Sequence, residues 1–497
     1  MLRDILKYVQ EMDLSSELKQ SMLGVEIEEH RILKNGRLSN HPYPSDLGSR
    51  QFHPYLQSDF AESQNELITD PHSKLEDTIS QLNSLQTVLH KHLRSDEAIW
   101  PLSMPPVLTA KEIEFIKDNF DRPAYAKYRD YLTEKYGIQK KIVTGIHVNF
   151  SLPNSVLKKL YSKYESDYKT FVQFKNAVYF GLAQQFVLHR YFLTYFLGAS
   201  PIAEKGFYDS MPTELSHPVR SIRNSTWGYV NRKQDDVNVT VYSSLKHYVK
   251  SISNGIAKKN LYSAAEFYGP VRLRGQESYL DYPSQGIDYL EFRVFDNDPF
   301  DLNGISAETL TFLKTYLLCL FINAPEPADM HKALKKSFDA NNQVALESPT
   351  SKSSMEKEMR KLVVDLKKTA TTLSASDKVF HMIQRIERMI DHPELTPSGR
   401  LSQLMVNGSL QKFGSQQAFK FKADRQAEPD VLPALDSFPV AVQKLVSLLI
   451  EIGARYKFLS RDSLKVSNGD NQFEIDLSSV TEDNYQEQTR TLFPELF

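Results

Sequence analysis

The 497 residues are 41% apolar and 25% charged, with 60 basic against 62 acidic side chains and a formal net charge of −2. That is ordinary globular composition, enough for one large domain with appendages or for two to four average ones. No basic run or basic–aromatic stripe appears, which argues against nucleic acid as a partner, and one cysteine, Cys319, excludes an intrachain disulfide or a multi-cysteine metal site.

At the start of the chain, Ile5, Val9 and Met12 recur at helical spacing, predicting an amphipathic first helix rather than a signal peptide. The longest apolar stretches, near 313–323 and 445–453, fall short of the ~20 residues that span a bilayer. The expectation is a reduced, cytoplasmic protein with no membrane partner. Cys319, in TYLLCLFI, reads as a buried thiol.

GVEIEEHR follows, where Glu26 and Glu28 alternate with Val25 and Ile27, the period of a strand with acids on one face. The proline-rich stretch 41–55 reads as a loop, and SDFAESQNELIT then adds Asp59, Glu62 and Glu66. Leucine and isoleucine spacing predicts a helix over 74–94, and WPLSMPPVL, 100–108, an extended connection. IVTGIHVNFSLP returns to strand character, with Val143, Gly145, His147, Asn149 and Ser151 on one face. Long helices are expected over 154–197. A third strand, YLEFRVFD, sets Tyr289, Glu291 and Arg293 opposite Leu290, Phe292 and Val294. Beyond it come a buried helix over 308–322, a polar surface loop over 340–353, and charged helices over 354–374 and 376–391. Polar-faced strands interleaved with long helices indicate an α+β enzyme with a largely antiparallel sheet. The expected organisation is a catalytic core over 1–328 and a mainly helical region over 329–497 packed on it.

Carboxylates in segments apolar enough to be buried call for positive charge, and a divalent cation would supply it. Magnesium takes carboxylate, phosphate and water oxygens, and Glu26 and Glu28 stand about 7 Å apart at their bases on one strand face. An isolated E-x-E also fits a solvated strand face, His147 a satisfied edge histidine, and Arg293 a salt bridge to Glu291. Convergence of three polar-faced strands favours a metal–phosphate site, with Arg293 meeting a transferred phosphoryl group. There is no G-x-x-x-x-G-K-[ST] loop, no G-x-G-x-x-G, no G-x-S-x-G elbow and no H-E-x-x-H, so ATP would be held by cations on a sheet.

In order along the chain, GVEIEEHR, SDFAESQNELIT, EAIWPLSMPP, YRDYLTEKYG, IVTGIHVNFSLP, SIRNSTWGYVNR, EFYGPVRLRG and GIDYLEFRVFDNDPF resemble segments of bacterial-type glutamate–cysteine ligases, as does the later ELTPSGRLSQLM. The resemblance implies a glutamine synthetase-like curved antiparallel sheet forming a funnel with helices outside. It also implies ATP-dependent joining of the L-glutamate γ-carboxyl to the amino group of L-cysteine through a γ-glutamyl phosphate. Carried over position by position, Glu26, Glu28, Asp59, Glu66, His147 and Glu291 match the magnesium ligands. Arg293 matches the arginine at the transferred phosphate. Phe60, Tyr128, Leu132, Arg223, Tyr229 and Tyr268 match the cysteine pocket, although tyrosines are also ordinary core residues. Two or three Mg2+ ions, with Mn2+ an alternative, and ATP are the implied cofactors. L-glutamate, L-cysteine and ATP are the implied partners, for a monomer or small homo-oligomer.

Two departures stand out. Lys141 occupies a pocket position where the family pattern has glutamine, and DNDPF replaces D-I-N-P-F while keeping Pro299 and Phe300. The expectation is a stand-alone ligase that stops at γ-glutamylcysteine, the first step of glutathione synthesis. The alternatives are a γ-glutamyl ligase for another amine, a non-catalytic regulatory relative, and a two-metal hydrolase.

Overall fold

The computed structural model describes residues 4–118, 123–231, 237–323, 327–427 and 431–497. Its centre is an antiparallel sheet built on one long strand, β1 (Met22–Leu33). The remaining strands are β2 (Leu56–Ser58), β3 (Gln64–Ile68), β4 (Glu97–Trp100), β5 (Ile146–Ser151), β6 (Val271–Arg274) and β7 (Tyr289–Phe295). Their order is β2-β3-β1-β5-β7-β6, and β4 pairs with the far end of β1.

Register decides which acids meet. Glu28 stands opposite Glu66 across β1 and β3, and Glu26 opposite His147 across β1 and β5. Asn149 and Arg272 both stand opposite Glu291. The β5–β7 ladder slips by one residue: Ile146 pairs with Phe295 but Val148 with Phe292, so Arg293 and Val294 together face His147. Such a bulge bends a strand and re-aims its side chains. Strict alternation predicts Val294 on the apolar face, yet it lines the same small cavity as Arg293.

The opposite face is the core. Val25, Ile27, Val148, Phe150 and Phe292 are buried there, each contributing roughly 1.5–3 kcal/mol by leaving water. They share a cluster with the helix Phe171–Leu197, whose Phe186 ring lies 4.3 Å from that of Phe292. Thr170 caps this helix by accepting from the Gln173 N–H. The predicted helices over 154–197 are two, Asn154–Tyr161 and Phe171–Leu197, separated by turns.

Past residue 329 the chain lies against these elements. The helix Met330–Leu346 runs through the start of the expected 340–353 loop, because Asn341 is a buried link: its Oδ1 accepts from Thr194 Oγ1 at 2.8 Å and its Nδ2 donates to the Asn224 carbonyl at 3.0 Å. The helices Glu356–Thr372 and Asp377–Asp391 pack beside Ala307–Ile322, where Cys319 is buried. Within the region expected to be mainly helical, the end of the chain also carries strands that the sequence reading did not place. β8 (Arg455–Phe458), β9 (Ser463–Asn468) and β10 (Asn471–Asp476) form a small antiparallel sheet whose alternation, as in Leu464 and Val466, is too short to stand out. Among the described residues, no helix is long and apolar enough to cross a membrane.

Candidate active site

The polar face of the sheet gathers the acids that the sequence scatters. Ligand atoms of Glu26, His147 and Glu291 lie within 4.8 Å of one another. His147 Nδ1 is 3.2 Å from Glu26 Oε2 and 3.6 Å from Glu291 Oε1, and its Nε2 is 3.8 Å from Glu28 Oε1. Burial and the nearby Arg293 pull the imidazole down to about 4, so near neutrality it is uncharged with a lone pair to offer. Burial resists ionisation of Glu26, but His147 and a 2.7 Å hydrogen bond from Asn149 Nδ2 prevail and hold it below its usual range. Glu291 is also buried, yet Arg293, Arg272 and Arg274 hold it well below that range, and Arg293 and Arg274 both contact it.

The other half of the cluster lacks this compensation. Burial, then Asp59, pushes Glu28 up to about 8, and the same two causes raise Glu66 well above its usual range, with Glu26, Glu28 and Glu291 adding to it. Asp59 is turned toward this group and also accepts from Gln64 Nε2 at 3.0 Å. Glu62 does not join them: it accepts from the Tyr43 N–H and pairs with Arg50. Acids that repel one another while buried are a donor set for hard divalent cations, so Glu26, Glu28, Asp59, Glu66, His147 and Glu291 fit magnesium.

Beside the acids stands a wall of phenol rings. Tyr229 and Tyr268 have centroids 4.6 Å apart, Tyr136 and Tyr268 5.6 Å, and Tyr128 reaches them alongside Tyr262. The Lys141 ammonium sits in this cage, 3.6 Å from the Tyr268 centroid, 4.6 Å from Tyr136 and 4.7 Å from Tyr229. Burial lowers its affinity for the proton well below the usual lysine value, while Asp59, Glu266 and Glu28 oppose that. Phe60 and Leu132 are buried in the apolar cluster on which Tyr128 and Tyr268 rest. Arg223 lies against Gly145, where a Cβ would come within 2.2–2.4 Å of the guanidinium; glycine here leaves room for the arginine. Buried Nε atoms of Arg223 and Arg293 have no protein hydrogen-bond partner.

All the predicted site residues thus fall into two adjoining groups, the acids with His147 and Arg293, and the aromatic wall with Lys141 and Arg223. Arg232, which closes the string SIRNSTWGYVNR, lies outside the described residues. Sequence reasoning missed Arg272, Arg274, Asn149 as a partner of Glu26, and Tyr136. The arginines had a signal, since V-R-L-R alternates as V-E-I-E does. Tyr136 had none, because nothing local distinguishes it among 25 tyrosines.

An antiparallel sheet face carrying carboxylates, one neutral imidazole and arginines is the kind of surface found in enzymes that handle phosphate groups with a divalent cation, and it offers a candidate metal site at Glu26, His147 and Glu291. The family model for glutamate–cysteine ligase matches residues 6–264 and 256–344, and the chain belongs to that family. It is 35% identical over 475 residues to the glutathione biosynthesis bifunctional protein GshAB of Streptococcus mutans, covering 94% of this chain and 61% of that protein. The Pasteurella multocida protein of the same name is 34% identical over 457 residues, covering 91% and 59%. The chain therefore spans about three-fifths of the length of the curated relatives it matches. A crystal structure of a bifunctional glutathione synthetase from Pasteurella multocida superposes with a TM-score of 0.88 at 30% identity, over 99% of this chain and 65% of that one. Glutamate–cysteine ligase from Francisella tularensis in complex with AMP shares the fold, with a TM-score of 0.72 at 21% identity over 87% and 94% of the two chains. The fold is the glutamine synthetase-like one that the sequence led us to expect.

Proposed function

We propose that this protein joins the γ-carboxyl of L-glutamate to the amino group of L-cysteine at the expense of ATP. The carrying observation is the half-buried group of Glu28, Asp59 and Glu66, whose charges oppose one another, beside the compensated Glu26–His147–Glu291 group. Family membership and the AMP bound to the Francisella tularensis relative support a nucleotide on this sheet.

Glu26, Glu28, Asp59, Glu66, His147 and Glu291 would hold the divalent cations, which when bound neutralise the triphosphate and lower the barrier to phosphoryl transfer. In the first step the γ-carboxylate oxygen of glutamate attacks the terminal phosphorus of ATP, forming an acyl phosphate and releasing ADP. Arg293, held on Glu291 and kept cationic by it, faces the group that accumulates negative charge. Arg223 offers a second guanidinium at the junction with the aromatic wall. In the second step the neutral amine attacks the acyl carbon, phosphate leaves and the nitrogen sheds a proton. The half-buried wall of Tyr128, Tyr229 and Tyr268, backed by buried Phe60 and Leu132, would orient the acceptor and keep water from the anhydride. Residues 329–497, whose helices pack on the sheet and its covering helices, are read as part of the same catalytic unit.

Incubation with glutamate, cysteine, ATP and magnesium should release ADP and phosphate in step with dipeptide. ADP release with no dipeptide at any cysteine concentration would defeat the assignment. Lys141 in its tyrosine cage favours one variant of this reading, in which the acceptor is an amine other than cysteine. A panel of amines decides between them: cysteine failing while another amine turns over selects the variant.

A further inference from the structure

Behind the tyrosine wall lies a separate cavity of about 600 Å³, within the range that holds small-molecule ligands. Val237, Val239, Phe267, Pro270 and Phe338 give it apolar walls. Arg190, from the helix Phe171–Leu197, lines both this cavity and a narrow one of about 40 Å³ that it shares with Arg223, Tyr229 and Arg293. Tyr268 lines both as well, so the cavity backs directly onto the proposed acceptor wall.

Arg190 is only 8% exposed, and among the described residues no carboxylate pairs with it. Its Nε is sealed from solvent without a hydrogen-bond partner, and its nearest charge-stabilising neighbours are the Phe338 ring, 5.7 Å from the guanidinium, and Tyr242. Burial pulls its pKa down to about 10, which still leaves it cationic at neutral pH. Three other buried arginines are matched with acids, Arg31 with Glu97, Arg220 with Glu347 and Arg293 with Glu291, and buried Arg425 donates to carbonyls, Thr87 and Asn303 instead. Burying a charge without such a partner is costly, and an arginine kept that way on a cavity wall is arranged for an incoming anion. Among the described lining residues, Lys140 and Lys335 bring positive charge against the one carboxylate of Asp339, and Lys335 and Asp339 are both exposed.

We propose that this cavity is a second ligand site, taking a small molecule with one carboxylate and an apolar or aromatic body, the carboxylate meeting Arg190. A planar guanidinium fork matches a carboxylate, and a single buried cation among apolar walls suits a monoanion better than a phosphate, which needs more donors. The site shares no acid with the metal-binding face, and its existence does not depend on which amine the enzyme uses.

The probe is 2-naphthoate, with neutral 2-naphthamide as control, titrated calorimetrically into the full chain with and without magnesium, ATP and glutamate. Naphthoate should bind in both conditions. Arg190→Met should weaken it at least about tenfold, the worth of a charge-assisted hydrogen bond, and leave naphthamide unchanged. Arg190→Lys should restore part of the loss. The same Arg190→Met protein should melt no lower than the wild type, because an uncompensated buried charge has been removed. Absence of naphthoate binding to the wild type, binding indifferent to Arg190→Met, displacement by the active-site ligands, or a melting point several degrees lower would each overturn the proposal.

Discussion

The far end and the middle of strand β1 handle charge in opposite ways. At one end Arg31 and Glu97 are wholly buried and matched, 2.8 Å apart. The guanidinium also donates to the carbonyls of His41, Pro42 and Glu62, and Ser39 Oγ donates to the carboxylate. Mid-strand, Glu28 faces Glu66 in register and makes it harder to ionise, and Asp59 does the same to both. A charge whose partners are all protein atoms fixes the fold; a charge that its neighbours oppose waits for a ligand. Two further histidines, His53 and His147, divide likewise. His53 Nε2 meets the Ile450 carbonyl at 2.7 Å while Nδ1 accepts from the backbone N–H groups of Tyr55 and Leu56. His147 has carboxylates on both ring nitrogens.

The contrast breaks most visibly at Glu28. Glu28→Gln should cut ligase turnover by on the order of 10³-fold, as loss of a group that organises transferring phosphate does, while the melting temperature holds or rises because repulsion is relieved. A fall in both would put Glu28 with the structural charges. At the matched end the outcome reverses: Arg31→Met leaves Glu97 buried alone and should cost about 3–5 kcal/mol in urea unfolding, and Arg31→Met with Glu97→Leu should recover most of it.

Next in size is an acid-side loss of stability centred on His53. Burial pulls its pKa down to about 4 from an ordinary 6.5, so the folded state prefers the neutral ring. Its contribution is full above pH 6.5 and is lost as pH falls through 4, on the order of 3 kcal/mol in all. Urea midpoints measured from pH 7 to 4.5 should drop in the wild type and drop less steeply in His53→Gln, the remainder coming from His30, His90 and His147; parallel slopes would show that His53 contributes nothing. The smallest effect sharpens the comparison within the aromatic wall. Lys141→Gln should change the acceptor KM by about tenfold, the scale of one cation–π or charge-assisted contact, and leave the KM for glutamate unchanged. An equal change in both would mean that Lys141 only supports the fold.

Much of the catalytic face was legible because strands write their faces in period two. V-E-I-E, I-H-V-N-F and Y-L-E-F-R each announced a polar side and an apolar one, and the long unusual strings around them pointed to the family. Where the code changes, the reading failed. The bulge at Arg293 and Val294 adds a residue that no local pattern marks. The helix through 340–346 is stabilised by Asn341 reaching Thr194 and Asn224, partners more than a hundred residues away.

By itself, then, the sequence determined which strands carry acids on one face and which family those strands belong to, since side-chain alternation is a property of the local backbone. Only the tertiary structure decided that Glu28 meets Glu66, that Lys141 sits among three tyrosines, and that Arg190 lines a cavity with no carboxylate of the described residues paired to it. Those facts depend on register, burial and long-range packing, which set the field each charge feels and which no single segment encodes.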